Sequence, residues 1–477
     1  SPPDPIAAEV YVRAARSLDI AKAKGLSGLG NAHLRCVFAV EDDLAQDMTD
    51  YYNAIRSGPD YIHPDVRRML NAGAGVPLKQ GAKLRPVVVP SADLRLIGRV
   101  DMRGSRARFE RYFLHSHPRV KQYAVGVEQG GELLFRFVSD SLRANHELVA
   151  VSNDAKKAFQ NFDRSVIWDL MEREFPELAN LVRLIYGIES CVMLKNAGLG
   201  DPVIVMNGVG ARQGCPLGTM LYALAQHPIL ILVAEQVPGL EVAAFADDVT
   251  FLHHAAAARR ANAIYKHEYS RQLCGELNDA KSNAFSFGVT EDDARAAGLA
   301  QDIPWGKGAL PSGGVGDGGL VLYGAPIGTE AFEKAFIQSA VDEAAVAVRR
   351  LPLMERRQHR LIMIRQSLCK KIQHIQRLVP THPYMDVLER FDRGLLTTVS
   401  GLTHGRGDFT SLAVQLVSLP AALGGMGVDS AVRRADATYY SSFHAAYTRL
   451  SRLVPAWVDA TYDQDHPSFA AAPLRLG

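Results

Sequence analysis

The sequence has no long apolar stretch. Its best candidate, residues 221–233, is interrupted by Gln226, His227 and Pro228 and falls short of the roughly 18 apolar residues that a membrane span needs. We therefore expect no membrane partner and interpret this segment as a buried helix. Internal repeats and low-complexity tracts are also missing, which argues against a solenoid or a fibrous protein.

Cysteine is scarce, with five residues in 477 and no C-x-x-C pair. No His stands at zinc-finger spacing from these cysteines, so the sequence favours neither a disulfide framework nor a zinc site. This usage is typical of an intracellular reducing compartment. The chain starts at Ser1 rather than Met, which is typical of a processed or excised piece.

Charge of one sign does not dominate the chain, whose formal net charge is +2. The basic residues are instead concentrated in two segments. Residues 79–121 hold eleven Lys and Arg against three acidic residues, and residues 349–377 hold nine against one. Either block alone is typical of a solvated face, but two blocks around an acidic centre favour a cleft that binds a polyanion.

Composition and hydrophobic patterning predict an α+β fold. The chain is 47% hydrophobic and 22% charged, as in globular proteins, and its length predicts two to four subdomains. Short apolar runs predict strands at 84–89, 148–151, 191–194, 202–206, 242–252 and 320–323, with residues 198–200 as a hairpin loop. Helices are predicted at 41–56, 167–186, 216–235, 257–277 and over most of the chain after 330, and Gly-rich turns at 73–77 and 313–319.

Two adjacent carboxylates, Asp247 and Asp248, interrupt the apolar hairpin at residues 242–252. In such a place they repel each other and lose hydration, which a divalent cation would compensate. The alternative is an Asp-Asp turn chosen for its backbone geometry. Asp154 ends another apolar run, and such an Asp, taken alone, is more often a helix cap. Together, Asp154 and Asp247 meet the need of two-metal phosphoryl transfer for carboxylates from separate strands.

Four segments resemble, in order and spacing, motifs A to D of reverse transcriptases. They are residues 154–159 (DAKKAF), 210–217 (GARQGCPL), 245–248 (FADD) and 277–281 (LNDAK). The second is most similar to the non-LTR retrotransposon branch. Residues 83–87, 123–131, 323–328 and 419–427 resemble further segments of the same branch, so that the resemblance covers roughly residues 50–450.

The resemblance implies a right-hand polymerase with an antiparallel palm sheet. Residues 1–78 would form an N-terminal helical extension, 79–150 the fingers, 151–330 the palm with interleaved fingers elements, and 331–477 the helical thumb and C-terminal region. Asp154, Asp247 and Asp248 would hold two Mg²⁺ (or Mn²⁺) ions, and Lys281 would donate a proton to pyrophosphate.

The resemblance also assigns residues to the nucleotide and to nucleic acid. Lys83 and Arg85 would pair with the triphosphate, Phe159 would exclude a 2′-hydroxyl, and Arg212, Gln213 and Gly214 would lie against the nascent base pair and the template. Arg95, Arg99, Arg356, Arg360 and Lys371 would grip the phosphates of an RNA–DNA hybrid. For these five residues, a solvated face is the other interpretation.

The leading hypothesis is an RNA-directed DNA polymerase that extends a DNA primer on an RNA template with dNTPs. The alternative is a domesticated, inactive relative that serves as an RNA-binding structural subunit of a larger ribonucleoprotein. Three features favour this alternative. The chain has Lys157 and Gln160 where the family commonly has Asn, and Asn153 where an apolar residue commonly precedes the catalytic Asp. It also lacks a nuclease segment. Phe159 and the FADD form of motif C disfavour an RNA-dependent RNA polymerase. A mobile-element protein would work in the nucleus, and a domesticated one in a mitochondrion.

Overall fold

A computed structural model describes residues 2–40, 42–80, 83–194, 200–402 and 410–454. The helices are α1 (Ala8–Arg16), α2 (Asn31–Val40), α3 (Asp42–Ser57), α4 (Pro64–Asn71), α5 (Ala92–Gly104), α6 (Arg106–His115), α7 (Gly130–Ala144), α8 (Ala158–Asn161), α9 (Trp168–Glu174), α10 (Pro176–Tyr186), α11 (Gly218–Gln236), α12 (Ala255–Leu273), α13 (Glu291–Ala296), α14 (Glu330–Arg350), α15 (Arg357–Gln366), α16 (Gln373–Leu378), α17 (Met385–Leu402), α18 (Ser411–Ser418) and α19 (Ala431–Leu453).

The strands are β1 (Gly73–Gln80), β2 (Lys83–Val89), β3 (Val120–Gln122), β4 (Val149–Asn153), β5 (Ser190–Leu194), β6 (Val203–Asn207), β7 (Glu241–Phe245), β8 (Asp248–His253), β9 (Asn283–Phe285), β10 (Lys307–Ala309), β11 (Val315–Asp317), β12 (Gly319–Leu322) and β13 (Ala325–Gly328). The predicted α+β class is confirmed. Within the described ranges, no helix is both long and apolar enough to cross a membrane.

The chain divides into two compact units, each assembled from separate segments. Unit 1 comprises Ser1–Glu128, Asp154–Val249 and Arg260–Asn278, and unit 2 comprises Gln129–Asn153, Thr250–Arg259 and Asp279–Gly477. The fingers, palm and thumb boundaries stay a prediction.

Unit 1 contains a four-stranded sheet with the order β2-β1-β5-β6. The predicted edge strand is confirmed as β2, and the predicted hairpin as β5 and β6, which pair antiparallel; residues 198 and 199 of its predicted loop lie outside the described part of the chain. The turn predicted at residues 73–77 is wrong, because these residues belong to β1. Gly73 and Gly75 are needed for close packing there: a Cβ atom would lie 2.4 Å from Val88 Cγ1 and 2.4 Å from Leu194 Cδ2, respectively.

Unit 1 also contains β3 and β7, which pair in parallel with Gln122 opposite Ala244, and the start of β8 next to β7. Helix α11 is apolar on all sides, so most of its residues are buried. The helix predicted at residues 216–235 and the hairpin predicted at 242–252 are both confirmed.

Unit 2 contains the rest of β8 beside β4, and β4 pairs antiparallel with β9. Val149 and Val151 of β4 pack with Ala284 and Ile303 in a buried cluster. The hairpins β10–β11 and β12–β13 and helices α13 to α19 complete the unit, so the helical C-terminal pattern is confirmed. The turn predicted at residues 313–319 is wrong in part, because Val315–Asp317 forms β11 and pairs with β10.

Candidate active site

The paired carboxylates stand at a tight hairpin turn of unit 1. Strand β7 ends at Phe245 and β8 begins at Asp248, so Ala246 and Asp247 alone form the turn. Ala246 has a left-handed backbone with φ of +56°, which a residue with a Cβ rarely adopts. Asp247 is half-buried and Asp248 is exposed. The predicted position of both carboxylates at a hairpin turn is confirmed.

Asp154, the first residue after β4, is held by a segment from a distant part of the sequence. Its carbonyl oxygen accepts from the Asn278 N–H at 2.8 Å, and its Oδ2 accepts from Asn278 Nδ2 at 3.0 Å. On the same segment, the Lys156 N–H donates to the Glu276 carbonyl at 2.8 Å, and the side chains of these two residues form an ion pair. The first and fourth motifs of the sequence therefore meet here. Sequence reasoning missed Asn278.

The three carboxylates influence one another electrostatically. Loss of hydration raises the pKa of Asp247, the charge of Asp154 raises it further, and Arg85 lowers it. Asp248 is exposed, but loss of hydration and the charges of Asp247 and Asp154 raise its pKa to about 7. A bound cation would offset the repulsion among these negatively charged carboxylates.

The donor chemistry of this group suits a hard cation, but its geometry is not a closed cage. Carboxylate oxygens are the ligands that Mg²⁺ prefers, and Mg²⁺ usually takes one or two carboxylates and completes its shell with water and substrate phosphate. Over the residues that the structure describes, no group of three or more His, Cys, Asp or Glu side chains is arranged to hold a metal ion by itself. The assignment of metal ligands stays a prediction.

Phe159 lies where the start of motif B packs on motif A. The Ala211 N–H donates to the Phe159 carbonyl at 2.6 Å, and the Gly210 N–H donates to the Phe162 carbonyl at 2.8 Å. Gly210 has a φ of +60°, and a Cβ there would lie 2.4 Å from the Gln160 carbonyl carbon. The glycine thus permits a close approach of two backbones, which leaves the Phe159 ring half-buried.

Gln213 and Gly214 lie against β2, the strand that carries Arg85. The Val88 N–H donates to the Gln213 carbonyl at 2.8 Å. A Cβ on Gly214, whose φ is +106°, would lie 2.3 Å from the Val88 carbonyl oxygen. Arg85 is exposed on this strand. The side chain of Lys83 lies outside the described part of the structure.

Arg212 is buried and engaged with the protein. Only 4% of its surface is exposed, its Nη1 donates to the Asn71 carbonyl at 2.6 Å, and its guanidinium lies 5.4 Å from the centre of the Tyr186 ring. In this arrangement the Arg212 side chain is bound to protein groups of unit 1. The template role of Arg212 stays a prediction.

The other predicted binding residues are scattered. Arg95 donates to the Ala23 carbonyl, and Arg99 is partly buried. In unit 2, Arg360 donates to the carbonyls of Met354 and Pro352, Lys371 is 4.0 Å from Glu343, and Arg356 is exposed. Lys281 is exposed and lies in unit 2, just before β9.

Gln122 is a second residue that sequence reasoning missed. Its side chain is fully buried and bonds to both backbone polar groups of Ala246. A single Gln at the end of a three-residue strand gives no sequence signal. Its burial, which only the fold shows, is what reveals it.

The chain resembles proteins of mobile elements and telomerases to a limited extent. No family model matches it. The transposon TX1 uncharacterized 149 kDa protein of Xenopus laevis is 28% identical over 174 residues, which are 34% of this chain and 13% of that protein. The chain therefore covers a small part of this relative's length.

Two solved structures are similar. The apo telomerase of Candida tropicalis, truncated of its C-terminal domain, has a TM-score of 0.36 at 12% identity, with 47% of this chain and 51% of that chain covered. The telomerase of Candida albicans in complex with a TWJ fragment of telomeric RNA has a TM-score of 0.44 at 9% identity, with 84% and 66% covered. The chain is similar, over 34% of its length, to part of a transposon protein.

Proposed function

We propose that this chain is an RNA-directed DNA polymerase that adds a dNMP from a dNTP to the 3′-hydroxyl of a primer on an RNA template. The observation that carries the proposal is that Asp154 and the Asp247–Asp248 pair, from separate parts of the sequence, come together in unit 1, where the charge of Asp154 raises the pKa of both Asp247 and Asp248. Carboxylates whose pKa values are raised by loss of hydration and by neighbouring like charges are concentrated at functional sites. An Asp-Asp turn chosen only for its backbone geometry would not require a third carboxylate nearby.

Asp154, Asp247 and Asp248 would hold two divalent cations, Mg²⁺ or Mn²⁺, together with the phosphates of the incoming nucleotide. When bound, these cations supply positive charge where negative charge develops on the reacting phosphate. A bound cation would lower the raised pKa values of Asp247 and Asp248, because its positive charge stabilises the ionised carboxylates.

The remaining residues of the site would bind and orient the substrates. Arg85 adds a positive charge whose effect reaches Asp247, which suits the triphosphate of a dNTP. Phe159 presents an aromatic ring beside the motif A backbone, where it would exclude a 2′-hydroxyl. Gly214 has an exposed backbone, against which a base pair would lie.

The reaction that this arrangement supports is a nucleotidyl transfer. The primer 3′-oxygen forms a bond to the α-phosphorus of the dNTP, the hydroxyl proton passes to solvent water, and the bond from the α-phosphorus to the oxygen that joins it to the β-phosphorus breaks, which releases pyrophosphate. The chain contributes orientation and electrostatic stabilisation and forms no covalent intermediate in this scheme.

The test is extension of a labelled DNA primer on an RNA template with dNTPs and Mg²⁺. We expect Asp247→Asn to lower the extension rate by at least about 10²-fold, because it removes a carboxylate that would hold the cations at the reacting phosphate. The variant should fold normally, since it relieves repulsion among like charges. Asp169→Asn, which changes an exposed acid of α9 in the same unit, is the matched control and should extend like the wild type. Equal rates for Asp247→Asn and the control would refute the site.

A second candidate function is an RNA-binding structural subunit of a larger ribonucleoprotein. The observation that favours it is the hydrogen bond from Asn278 Nδ2 to Asp154 Oδ2, because it gives one carboxylate oxygen a protein partner in place of a cation. If the folded wild type binds an RNA–DNA hybrid or structured RNA but extends no primer in Mg²⁺ or Mn²⁺, this second function replaces the first.

A further inference from the structure

The side chain of Gln122 forms a pair of hydrogen bonds with one backbone residue of the candidate active site. Gln122 is the last residue of β3 and is 0% exposed. Its Oε1 accepts from the Ala246 N–H at 2.9 Å, and its Nε2 donates to the Ala246 carbonyl at 3.2 Å. Both backbone polar groups of Ala246 are thus satisfied by a single side chain.

The orientation of this amide is fixed by its partners. Gln122 Oε1 also accepts from the Ala124 N–H at 3.2 Å, so the oxygen faces two N–H donors. The flipped amide would direct an NH₂ group at both donors and leave them unsatisfied in a buried place. Next to it, the Tyr123 N–H donates to the Ala244 carbonyl at 2.8 Å. The side chain therefore extends the hydrogen bonding of β3 and β7 beyond the ends of both strands.

Ala246 needs such support because its backbone is unfavourable for an alanine. Its φ of +56° is left-handed, a conformation in which the Cβ of an L-residue lies too close to the following carbonyl oxygen. The next residue is Asp247, whose backbone N–H directly follows the Ala246 carbonyl. The direction of that N–H depends on the peptide plane that follows Ala246. A change in the Ala246 conformation would therefore turn the Asp247 carboxylate.

We infer that Gln122 is a positioning residue, which holds Ala246 in the left-handed conformation and thereby directs the Asp247 carboxylate into the site. The part of this inference that concerns catalysis rests on the proposed function. Its structural half, the coupling of Gln122 to the turn, can be measured without any reaction.

The first experiment compares Gln122→Met with the wild type in primer extension. Met has nearly the same length but can form neither bond, so the turn loses its fixed geometry. We expect kcat to fall about 10²-fold, the loss that a displacement of roughly 1 Å produces, while KM for the dNTP and the Kd for the hybrid change less than about threefold. The control is Gln376→Met, which removes another fully buried glutamine, in unit 2, and should leave kcat unchanged.

A second variant, Gln122→Glu, separates positioning from loss of folding. A protonated carboxyl can replace the amide, because its carbonyl oxygen accepts from Ala246 and its hydroxyl donates back. An ionised carboxylate cannot donate and adds a negative charge near Asp247. The rate of Gln122→Glu relative to the wild type should therefore rise as the pH falls, whereas the relative rate of Gln122→Met should not depend on pH. Parallel pH profiles for the two variants would contradict the inference.

Hydrogen exchange of the backbone amides keeps the two proposals distinguishable. In Gln122→Met, the amides of Ala246 and Ala124 should exchange at least about tenfold faster than in the wild type, because each loses its acceptor. Unchanged exchange overturns the inference, and so does faster exchange with an unchanged kcat. If the wild type extends no primer, the proposed function fails, and faster exchange together with weaker binding of Mn²⁺ by Gln122→Met still supports the positioning role.

Discussion

The ring of Phe159 lies against the ring of Tyr222, with the centroids 5.0 Å apart and the planes inclined by 38°. Tyr222 is fully buried, and its hydroxyl is 2.9 Å from the Tyr269 hydroxyl and accepts from Gln226 Nε2 at 3.2 Å. The half-buried ring that is predicted to exclude a 2′-hydroxyl therefore rests on a rigid, hydrogen-bonded aromatic support.

Replacing Phe159 with alanine should relax the choice of sugar. The variant removes the ring while the backbone that carries Asp154 stays in place, so we expect incorporation of rNTPs relative to dNTPs to rise by roughly 10- to 100-fold. The measurement is the ratio of kcat/KM for matched dNTP and rNTP on one RNA template. An unchanged ratio would remove the gate role from Phe159.

The control for this gate is Tyr222→Phe, which keeps the supporting ring and removes only its hydroxyl. The Tyr269 hydroxyl and Gln226 then lose a buried partner, which should lower the free energy of unfolding by about 1–3 kcal/mol. The sugar preference should stay as in the wild type. A large gain in rNTP use by Tyr222→Phe would mean that the hydrogen bonds of the Tyr222 hydroxyl, rather than the contact between the rings, determine the preference for dNTPs.

Gly214→Ala should disturb β2 as well as its own backbone. The new Cβ would meet the Val88 carbonyl oxygen, on the strand that carries Arg85, in addition to the strain at a φ of +106°. We expect a rise in KM for the dNTP and a loss of more than about 2 kcal/mol in the free energy of unfolding.

Gly313 offers a matched comparison, because its φ is also +106° but nothing lies within 4 Å of the position of its Cβ. Gly313→Ala should therefore show only the conformational part, about 1–2 kcal/mol, and keep the wild-type KM. Similar losses of stability and similar KM values in the two variants would show that contact with β2 has no influence on nucleotide binding.

Sequence patterns predicted the hairpin and its carboxylates because those signals are local. Apolar flanks around Asp247 and Asp248 require two strands and a turn, and the helices after residue 330 follow from periodicity alone. The prediction failed at residues 73–77, where Gly and Pro usually mark a turn. There the glycines serve close packing of β1 against its neighbours, which is a property of the assembled sheet.

The basic segments show the same limit for function. Their charge predicted a polyanion surface, but Lys121 is 3% exposed and donates to the carbonyls of Leu114 and His117. Arg119 donates to three carbonyls at the end of α11. The sequence does not distinguish a basic residue that donates to buried carbonyls from one that binds a phosphate. Only the fold tells which carbonyls require a donor.

Arg164 should be indispensable for the stability of unit 1. It is 6% exposed, its Nε donates to the Gly210 carbonyl at 2.9 Å, and its two terminal nitrogens donate to carbonyls of Tyr186, Ile188, Asn207 and Val209. Arg164→Lys retains the charge but loses the planar fork, so several buried carbonyls lose their donor. We expect a loss of about 2–4 kcal/mol in urea unfolding.

Arg103→Lys, at an exposed position of α5, is the control and should change the free energy of unfolding by less than about 0.5 kcal/mol. A stability of Arg164→Lys within that same range would mean that the lysine, or water, replaces the fork. In that case, the geometry of Gly210 and the motif B segment would not depend on Arg164.

His227 should make unit 1 sensitive to acid. It is fully buried in α11, its Nε2 is 2.8 Å from the Ser116 hydroxyl, and burial, with smaller contributions from His117 and Lys121, lowers its pKa to about 3. The unfolded chain binds a proton near pH 6.5, whereas the folded chain does not until about pH 3. The stabilisation is therefore complete above pH 6.5 and decreases as the pH falls toward 3. Between pH 7 and 5 this amounts to about 2 kcal/mol.

The measurement is the difference between the wild type and His227→Gln in urea unfolding at pH 7 and at pH 5. Gln keeps a hydrogen-bonding partner for Ser116 but does not titrate. Acidic groups such as Asp101, whose buried carboxyl has its pKa raised to about 6, change stability in the opposite direction and do so equally in both proteins. The wild type should therefore lose about 2 kcal/mol more than the variant on acidification. Parallel losses in the two proteins would show that the folded chain accommodates a charged His227.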